Sequence, residues 1–204
     1  MLPYTFVYLA SQSPRRVQLL DQLGVAHRAL LPDRSENAEG LEGERRGELP
    51  LDYVRRVTLL KLGAARARLA RRQLPVAPIL CADTTVAVGR RILGKPRDPA
   101  HAAEMLRSLS GRTHRVMTSV AVSAGTQHFL DTSISRVRFA DLSETTIRRY
   151  VDSGEPQGKA GAYAIQGRIA AWIEHIEGSY TGIMGLPLHE TTTLLSRARV
   201  RLEL

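Results

Sequence analysis

The sequence predicts a mixed α/β fold, in which strands and helices are interleaved and a mixed sheet is flanked by helices. The apolar segment 5–11 is typical of a buried strand, and it leads directly into a helix that begins at the Ser-Pro pair 13–14. Residues 79–88 are almost all apolar or small, over the length of a strand. Alternating polar and apolar residues in 126–140 predict an antiparallel neighbour for the strand within 110–122.

The helices are predicted where a capping residue precedes an apolar repeat. The first follows the pair 13–14 and ends at Gly24. Further helices are expected at about 50–72, 99–109, 144–152 and 187–198. Loops are predicted where glycine or polar residues dominate, at 32–50, 154–172 and 178–187, with a short strand within 154–172, and the last two are expected to line a site. The length of 204 residues suits a single domain, 1–204.

The composition narrows the classes of function. The 29 basic and 20 acidic side chains give a formal charge of +9. Binding of nucleic acid, binding of nucleotides or a solvated basic surface would each explain this excess of positive charge. Aromatic residues make up only 5% of the chain, which argues against a platform for stacking single-stranded nucleic acid. The single Cys81 excludes an intrachain disulfide, and no cluster has zinc-site spacing. No apolar run suits a membrane span or a signal peptide, so a cytoplasmic protein is expected.

Lysine is rare in this chain. Only three of the 29 basic residues are lysines: Lys61, Lys95 and Lys159. Arginine fills almost every other basic position, so these lysines are candidates for tasks that suit a compact ammonium, such as contact with a phosphate. The alternative is that three lysines remain in the sequence by chance. Lys61 lies at the edge of the apolar face of the helix at 50–72, so its ammonium either extends to water or points into a cleft. Lys95 lies in a Gly-Lys-Pro loop.

Charged residues at two unfavourable positions indicate a functional site. Arg15 and Arg16 lie on the first turn of a predicted helix, where positive charge opposes the helix dipole. Either an anionic ligand balances them or both are solvated. Asp83 interrupts an apolar strand, where a carboxylate is costly unless it is paired, protonated or bound to a metal. The alternative is an aspartate at a turn that ends the strand.

Six motifs, in order, resemble the Maf family of nucleoside triphosphate pyrophosphatases. They are LASQSPRR at 9–16, ADTTV at 82–86, LGKP at 93–96, LSGRTHRVMTSV at 109–120, GEPQGKAGAYAIQG at 154–167 and GSYTGIMGLP at 178–187. The resemblance implies an elongated mixed sheet with flanking helices and two lobes around a central cleft, similar to inosine triphosphate pyrophosphatases. It also implies hydrolysis between the α and β phosphates, a divalent cation (Mg²⁺ or Mn²⁺), and a cytoplasmic homodimer with a house-cleaning role in nucleotide metabolism.

The resemblance assigns roles to several residues. Ser11, Arg15 and Arg16 match the loop that contacts the phosphates of the substrate. Asp83 matches the catalytic aspartate, which ligates the metal, deprotonates the attacking water, or does both. Glu36 matches an acidic residue after the second strand and is expected as a further metal ligand.

The three lysines lie at or near motif positions of the family. Lys61 and Lys95 are expected to stabilise charge on the triphosphate, and Lys159 is expected to contact the substrate.

The chain departs from the family pattern at two positions. The family usually has an Asp-Glu pair where this chain has Ser35 before the glutamate. Gly158 stands where an acidic residue often precedes the lysine.

Three residues resemble the branch of the family that acts on dTTP and UTP: Arg15, Thr84 and Gln166. A glutamine amide accepts from the ring N3–H of uracil or thymine and donates to a neighbouring carbonyl. The expected function is therefore hydrolysis of dTTP and UTP, or of modified pyrimidine triphosphates, by metal-assisted attack of water on the α-phosphorus. Two alternatives are a 7-methyl-GTP pyrophosphatase of the same family and a basic protein that binds nucleic acid or regulates division.

Overall fold

A single mixed sheet forms the centre of the computed structural model, which describes residues 3–33, 36 and 39–202. The described part contains seven strands: β1 (Val7–Leu9), β2 (His27–Ala29), β3 (Ile79–Val88), β4 (Arg91–Leu93), β5 (Thr113–Ala124), β6 (Gln127–Phe139) and β7 (Ile173–Glu177). Their order across the sheet is β2-β1-β3-β5-β6-β7, and β4 forms a hairpin with β3. Since β1 is parallel to β2 and β3 whereas the other pairs are antiparallel, the predicted mixed sheet is confirmed.

The helices lie where capping and apolar repeats predict them, with one addition. They are α1 (Pro14–Gln22), α2 (Pro50–Arg71), α3 (Pro99–Leu109), α4 (Glu144–Asp152), α5 (Tyr180–Met184) and α6 (Leu188–Arg197). Three short 3-10 turns cover Glu39–Glu42, Ala160–Ala162 and Arg168–Trp172. Each of α1, α2 and α3 begins with a proline, whose fixed φ suits the first turn of a helix. The assignment of residues 1–204 to one domain with two lobes stays a prediction.

Four short elements were not predicted: β2, β4, β7 and α5. Strands of three to five residues are too short for an alternation of polar and apolar residues to stand out. The five residues of α5 include a glycine, which indicates a loop when only local propensity is considered. Within the described ranges, no helix is both long and apolar enough to span a bilayer.

The sheet brings the start of α1 to the middle of β3. Leu9 at the end of β1 lies beside Leu80 of β3, and the two strands are parallel. The chain that follows Leu9 therefore leaves the sheet next to the middle of β3. Since α1 begins five residues later, its first turn lies close to Asp83 and Thr84.

Neighbouring residues of β3 face opposite sides of the sheet, because side chains alternate along a strand. Cys81 packs with Leu62 of α2, whereas Ala82 belongs to the larger apolar core on the other side, which includes the leucines of α1. By the same alternation, Asp83 faces the same side as Cys81, towards α2, and Thr84 faces the same side as Ala82, towards α1. The two residues therefore have different partners although they are adjacent in the sequence.

Candidate active site

Four charged side chains meet beside β3, and we call them the carboxylate–lysine cluster. They are Asp83 of β3, Lys61 of α2, Lys95 of the loop after β4, and Glu42 at the end of a 3-10 turn. The Lys61 ammonium donates to Asp83 Oδ1 at 2.6 Å and to Glu42 Oε1 at 2.8 Å. Lys95 Nζ donates to Glu42 Oε2 at 2.9 Å. Two carboxylates and two ammonium groups are thus linked in one chain of ion pairs.

The two carboxylates of this cluster lie close enough to share a ligand. Since both contact Lys61 Nζ, Asp83 Oδ1 and Glu42 Oε1 are separated by no more than the sum of the two distances, about 5.4 Å. The Asp83 side chain is 11% exposed and that of Glu42 27%. The Lys95 side chain is 51% exposed, so the cluster extends from the buried sheet to the surface.

Mutual attraction favours the charged forms of Lys61 and Glu42. Burial acts to lower the pKa of Lys61, but the negative charges of Asp83 and Glu42 outweigh it and leave this pKa raised. Burial acts to raise the pKa of Glu42, and here the charges of Lys61 and Lys95 prevail, so the pKa is lowered. Both shifts favour the ionised forms at neutral pH.

A pocket opens over the cluster, and Tyr53 holds one wall of it in place. The pocket is lined by Glu42, Asp83, Thr84 and Lys95 among others. The Tyr53 hydroxyl donates to the backbone carbonyl of Glu42 at 2.9 Å and so ties the 3-10 turn to α2. Burial, followed by the charges of Asp83 and Glu42, raises the pKa of Tyr53, so its phenol stays protonated.

Two arginines reach the same region from the other side of the sheet, and the C-terminal end of α5 anchors both. Arg15 Nε donates to the carbonyl of Met184 at 3.0 Å, and Arg16 Nε donates to the carbonyl of Gly185 at 2.7 Å. Carbonyls at a helix C-terminus lack partners within the helix and suit cationic donors. The backbone of Gly185 has φ of +121°, a conformation that favours glycine.

The terminal nitrogens of Arg16 join the start of α1 to β3. Its Nη1 donates to Ser11 Oγ at 3.0 Å, and its Nη2 donates to Thr84 Oγ1 at 3.4 Å. Burial lowers the pKa of Arg16, and the charge of Asp83 acts in the opposite direction. Burial also lowers the pKa of Arg15. The two arginines are thus partly desolvated cations whose Nε atoms are fixed by backbone carbonyls.

Lys159 and Gln166 lie on the segment that follows α4. Lys159 Nζ donates to the carbonyl of Glu155, and its pKa is lowered, first by burial and then by the charge of Arg15. Gln166 lies exposed in a turn. Gly158, one of the two departures from the family pattern, has φ of +68°, which a side chain would strain.

The segment after α4 approaches β3 closely at Gly161. A Cβ atom at this residue would lie 2.9 Å from the methyl carbons of Val86, and its φ is +68°. The Gly161 amide donates to the carbonyl of Gly94 at 3.1 Å. This contact holds the segment that carries Lys159 against the loop that carries Lys95.

The structure does not bring Glu36 to the carboxylate–lysine cluster. Its carboxylate receives hydrogen bonds from Arg68, at 2.6 Å from Nη2 and 2.8 Å from Nε, and from Arg71 at 2.8 Å. These hydrogen bonds lower the pKa of Glu36 to about 2, those of Arg68 contributing most. The carboxylate beside Asp83 is that of Glu42 instead. Ser35, the other departure, lies outside the described residues.

Two residues of the site could not be identified from the sequence. Glu42 is one of five glutamates in the polar segment 32–50, and nothing in the local sequence distinguishes it. Thr118, which contacts Thr84, reaches the site through strand pairing, since the two residues lie opposite each other in the register of β3 and β5. Its motif predicted a strand but did not predict its partner.

Comparison with known proteins adds to this geometry. A family model described as "Maf-like protein" matches residues 6–198. A protein from Polaromonas sp. (strain JS666 / ATCC BAA-500), named dTTP/UTP pyrophosphatase, is 59% identical over 197 residues, which cover 97% of this chain and 98% of the relative. A relative of the same name from Cupriavidus metallidurans is 60% identical over 196 residues, with 95% and 97% covered.

A solved structure also resembles this chain. It is described as a nucleoside-triphosphatase / dITP/XTP pyrophosphatase from Mycobacterium abscessus and is 16% identical, with a TM-score of 0.42 over 67% of this chain and 75% of that one. At that TM-score, the likeness supports no argument about this chain.

Proposed function

Since this chain belongs to the Maf family, we propose that it is a nucleoside triphosphate pyrophosphatase that hydrolyses dTTP and UTP to the monophosphate and pyrophosphate. The observation that carries the proposal is the setting of Asp83. This carboxylate lies in a buried strand, paired with Lys61 from one side of the sheet and attracted to Arg16 from the other. A carboxylate surrounded by cations beside a pocket suits the attack of water on a phosphate ester or anhydride.

Five cations would receive the triphosphate: Arg15, Arg16, Lys61, Lys95 and Lys159. Guanidinium groups bind phosphate oxygens in a fixed, two-pronged geometry, and the backbone anchors on both Nε atoms pre-orient them. The ammonium groups add compact charges where charge develops on the leaving pyrophosphate. Ser11, which already accepts from Arg16, completes the loop on the phosphate side.

In the proposed mechanism, Asp83 accepts a proton from the attacking water. The water oxygen bonds to the α-phosphorus, and the bond from that phosphorus to the bridging oxygen breaks. Pyrophosphate leaves with the electron pair of that bond, and Lys61 and Lys95 stabilise the charge. The ion pair with Lys61 keeps Asp83 directed into the pocket before the substrate arrives.

The carboxylates present fit a divalent cation that is shared with the substrate. Within the described ranges, no group of three or more His, Cys, Asp and Glu side chains is placed to hold a metal by itself. Mg²⁺ often uses only one or two protein carboxylates and completes its shell with water and substrate phosphates. Asp83 Oδ1 and Glu42 Oε1, at most about 5.4 Å apart, meet that requirement. In this proposal Glu42, rather than Glu36, is the second metal ligand. A bound cation would polarise the α-phosphate for attack.

Base selection is assigned to Arg15, Thr84 and Gln166. The amide of Gln166 matches the imide edge of uracil or thymine with one donor and one acceptor. A site built for two such bonds discriminates strongly against a base that leaves them unpaired. Replacing Gln166 with alanine is therefore expected to loosen base choice more than it slows hydrolysis of a permissive substrate.

Assembly and location belong to the same proposal. We expect a homodimer in the cytoplasm that acts on free nucleoside triphosphates and binds neither membranes nor nucleic acid. Size-exclusion chromatography with light scattering measures the first point directly. A salt-dependent, nanomolar affinity for DNA that survives Asp83→Asn would instead support the alternative of a basic nucleic-acid-binding protein.

The test is pyrophosphate release from a panel of triphosphates: dTTP, UTP, CTP, 7-methyl-GTP, ITP and the common purine nucleotides. Each is assayed with Mg²⁺, with Mn²⁺ and with a chelator. We expect metal-dependent turnover that is fastest on dTTP and UTP. A preference for 7-methyl-GTP would keep the reaction and overturn the substrate assignment, and no turnover on any triphosphate would overturn the proposed function.

A further inference from the structure

A chain of hydroxyl groups lies on the side of the sheet opposite Lys61 and ends next to Arg16. Thr118 Oγ1 lies 2.7 Å from the carbonyl oxygen of Gly182 in α5 and 2.9 Å from Thr84 Oγ1. Arg16 Nη2 donates to Thr84 Oγ1 at 3.4 Å. Thr118 is 1% exposed, so water does not compete for its hydroxyl.

The direction of each hydrogen bond in this chain follows from the number of protons. A threonine hydroxyl has one proton to donate and two lone pairs. A carbonyl only accepts, so the proton of Thr118 points to Gly182. Between the two threonines, Thr84 must therefore be the donor and Thr118 the acceptor.

The proton of Thr84 is thus committed to Thr118, which is not one of the residues that line the pocket, whereas Thr84 is. Arg16 takes one lone pair of the Thr84 oxygen, and one lone pair is left. Towards any further partner, this hydroxyl can only accept a hydrogen bond. An N–H or O–H of a bound molecule suits it, whereas a carbonyl or phosphate oxygen does not.

We propose that Thr118 is a positioning residue that fixes the Thr84 hydroxyl as an acceptor for a donor group of the bound nucleoside triphosphate. This inference rests on the proposed function, which it deepens. Thr118 itself lies in the second layer, out of contact with the pocket, and acts only through Thr84. Without its hydroxyl, the Thr84 proton is free to turn towards the pocket, where it opposes the same donor group.

The test is a double-mutant cycle on Thr84 and Thr118 with UTP as the substrate, and Thr118→Ser as the conservative variant. Thr118→Val is expected to lower kcat/KM about tenfold, the size of one lost hydrogen bond, mainly through a higher KM. Thr118→Ser should retain the activity of the unmodified protein, because it keeps the hydroxyl. Thr84→Val combined with Thr118→Val should be no worse than Thr84→Val alone.

Thr191→Val is the matched control for this cycle. Thr191 of α6 is equally buried, and its hydroxyl has no hydrogen-bond partner within the described part of the chain. The same exchange of a hydroxyl for a methyl group should therefore leave kcat and KM unchanged. If it lowers kcat/KM as much as Thr118→Val does, the effect at Thr118 is one of packing and the proposal is overturned.

Three further outcomes would overturn the proposal: unchanged kinetics in Thr118→Val, equal losses in the valine and serine variants, or losses at the two threonines that simply add. Binding of α,β-imido-dUTP, measured by calorimetry on the same variants, separates this proposal from the proposed function. If UTP is not hydrolysed but the analogue binds more weakly to Thr118→Val than to Thr118→Ser, the inference stands and the hydrolytic assignment fails. If the unmodified protein does not bind the analogue, both fail.

Discussion

Two carboxylate clusters lie along α2, and they differ in the cations that hold them. In the carboxylate–lysine cluster, Asp83 and Glu42 are paired with Lys61 and Lys95. In the second, which we call the Glu36–arginine cluster, Glu36 is paired with Arg68 and Arg71. Both clusters contain a glutamate from the polar segment between β2 and α2, so the segment alone does not explain the difference.

The partner decides whether a carboxylate remains available. Arg68 donates from Nε and Nη2 to Glu36 and from Nη1 to the carbonyl of Leu30, which ties the pair to the residue that follows β2. Glu42 instead accepts from two ammonium groups, each on a flexible stem and without a fixed direction. A metal ion can therefore displace the lysines from Glu42, or a phosphate can take the place of Glu42 on the lysines, at a lower cost in free energy than the same exchange at Glu36.

The comparison shows that arginines hold the acidic residue at the family motif position, and we therefore propose Glu42 rather than Glu36 as the ligand. The Glu36 side chain is 15% exposed but is saturated by arginine donors. Glu42 is the carboxylate that shares Lys61 with Asp83. Four predictions test this distinction, from the largest expected effect to the smallest.

Asp83→Asn is expected to lower kcat about 10²–10⁴-fold, because the amide neither accepts the water proton nor ligates a cation as a carboxylate does. The chain should still fold, with the free energy of unfolding lowered by about 1–3 kcal/mol, because Lys61 loses one of its two charged partners but keeps Glu42. Steady-state hydrolysis of UTP and urea denaturation measure the two effects. Asp152→Asn, at the exposed end of α4, is the control and should keep full activity. Retained turnover in Asp83→Asn would contradict the role given to this residue.

Glu42→Gln is expected to lower kcat/KM about tenfold to a hundredfold at limiting Mn²⁺, and less at saturating Mn²⁺, since one charged ligand is lost. Calorimetric titration with Mn²⁺ in the presence of α,β-imido-dUTP should give a correspondingly higher Kd. Glu44→Gln, an exposed glutamate two residues away, is the matched control. Equal metal affinity in the Glu42 and Glu44 variants would remove Glu42 from the metal site.

Glu36→Gln is expected to have the opposite profile. It should lower the free energy of unfolding by about 2 kcal/mol, because Arg68 is buried and loses its charged partner, while kcat/KM for UTP stays within about twofold. Urea denaturation and the UTP assay on the same preparation give both values. A loss of activity as large as that of Glu42→Gln, with a weaker affinity for Mn²⁺, would restore Glu36 as a ligand and end the distinction between the clusters.

The pH dependence of stability isolates the Glu36–arginine cluster. The pKa of Glu36 is about 2 in the folded chain and near 4.5 in the unfolded chain, so the unfolded state binds the proton first as the pH falls. The contribution of Glu36 is fully present above pH 4.5 and is lost towards pH 2. Between pH 5.5 and 3, the unmodified protein should lose about 1–2 kcal/mol more than Glu36→Gln. Parallel stability curves from urea denaturation would contradict this cause.

The fold was largely predictable from local sequence because its main elements are long or sharply bounded. The strand at 79–88, the helix at 50–72 and the proline-led start of α1 all lie where apolar periodicity and proline placed them. The elements that were missed, β2, β4, β7 and α5, are three to five residues long. Their structure depends on a partner strand or on the residues they anchor, and no local pattern reports that.

The sequence by itself determined the residue types of the site and their order. It predicted Asp83 as a costly carboxylate in a strand, Arg15 and Arg16 as cations on an unfavourable helix turn, and three scarce lysines. The tertiary structure decided which of these groups meet. Of the five glutamates, Glu42 is the one that contacts Lys61. Arg16 donates to the carbonyl of Gly185, and Thr118 is hydrogen-bonded to Thr84. The reason is physical: propensity and periodicity act over a few residues, whereas these contacts join positions 19 to 169 residues apart. Only strand register and the path of the chain fix them.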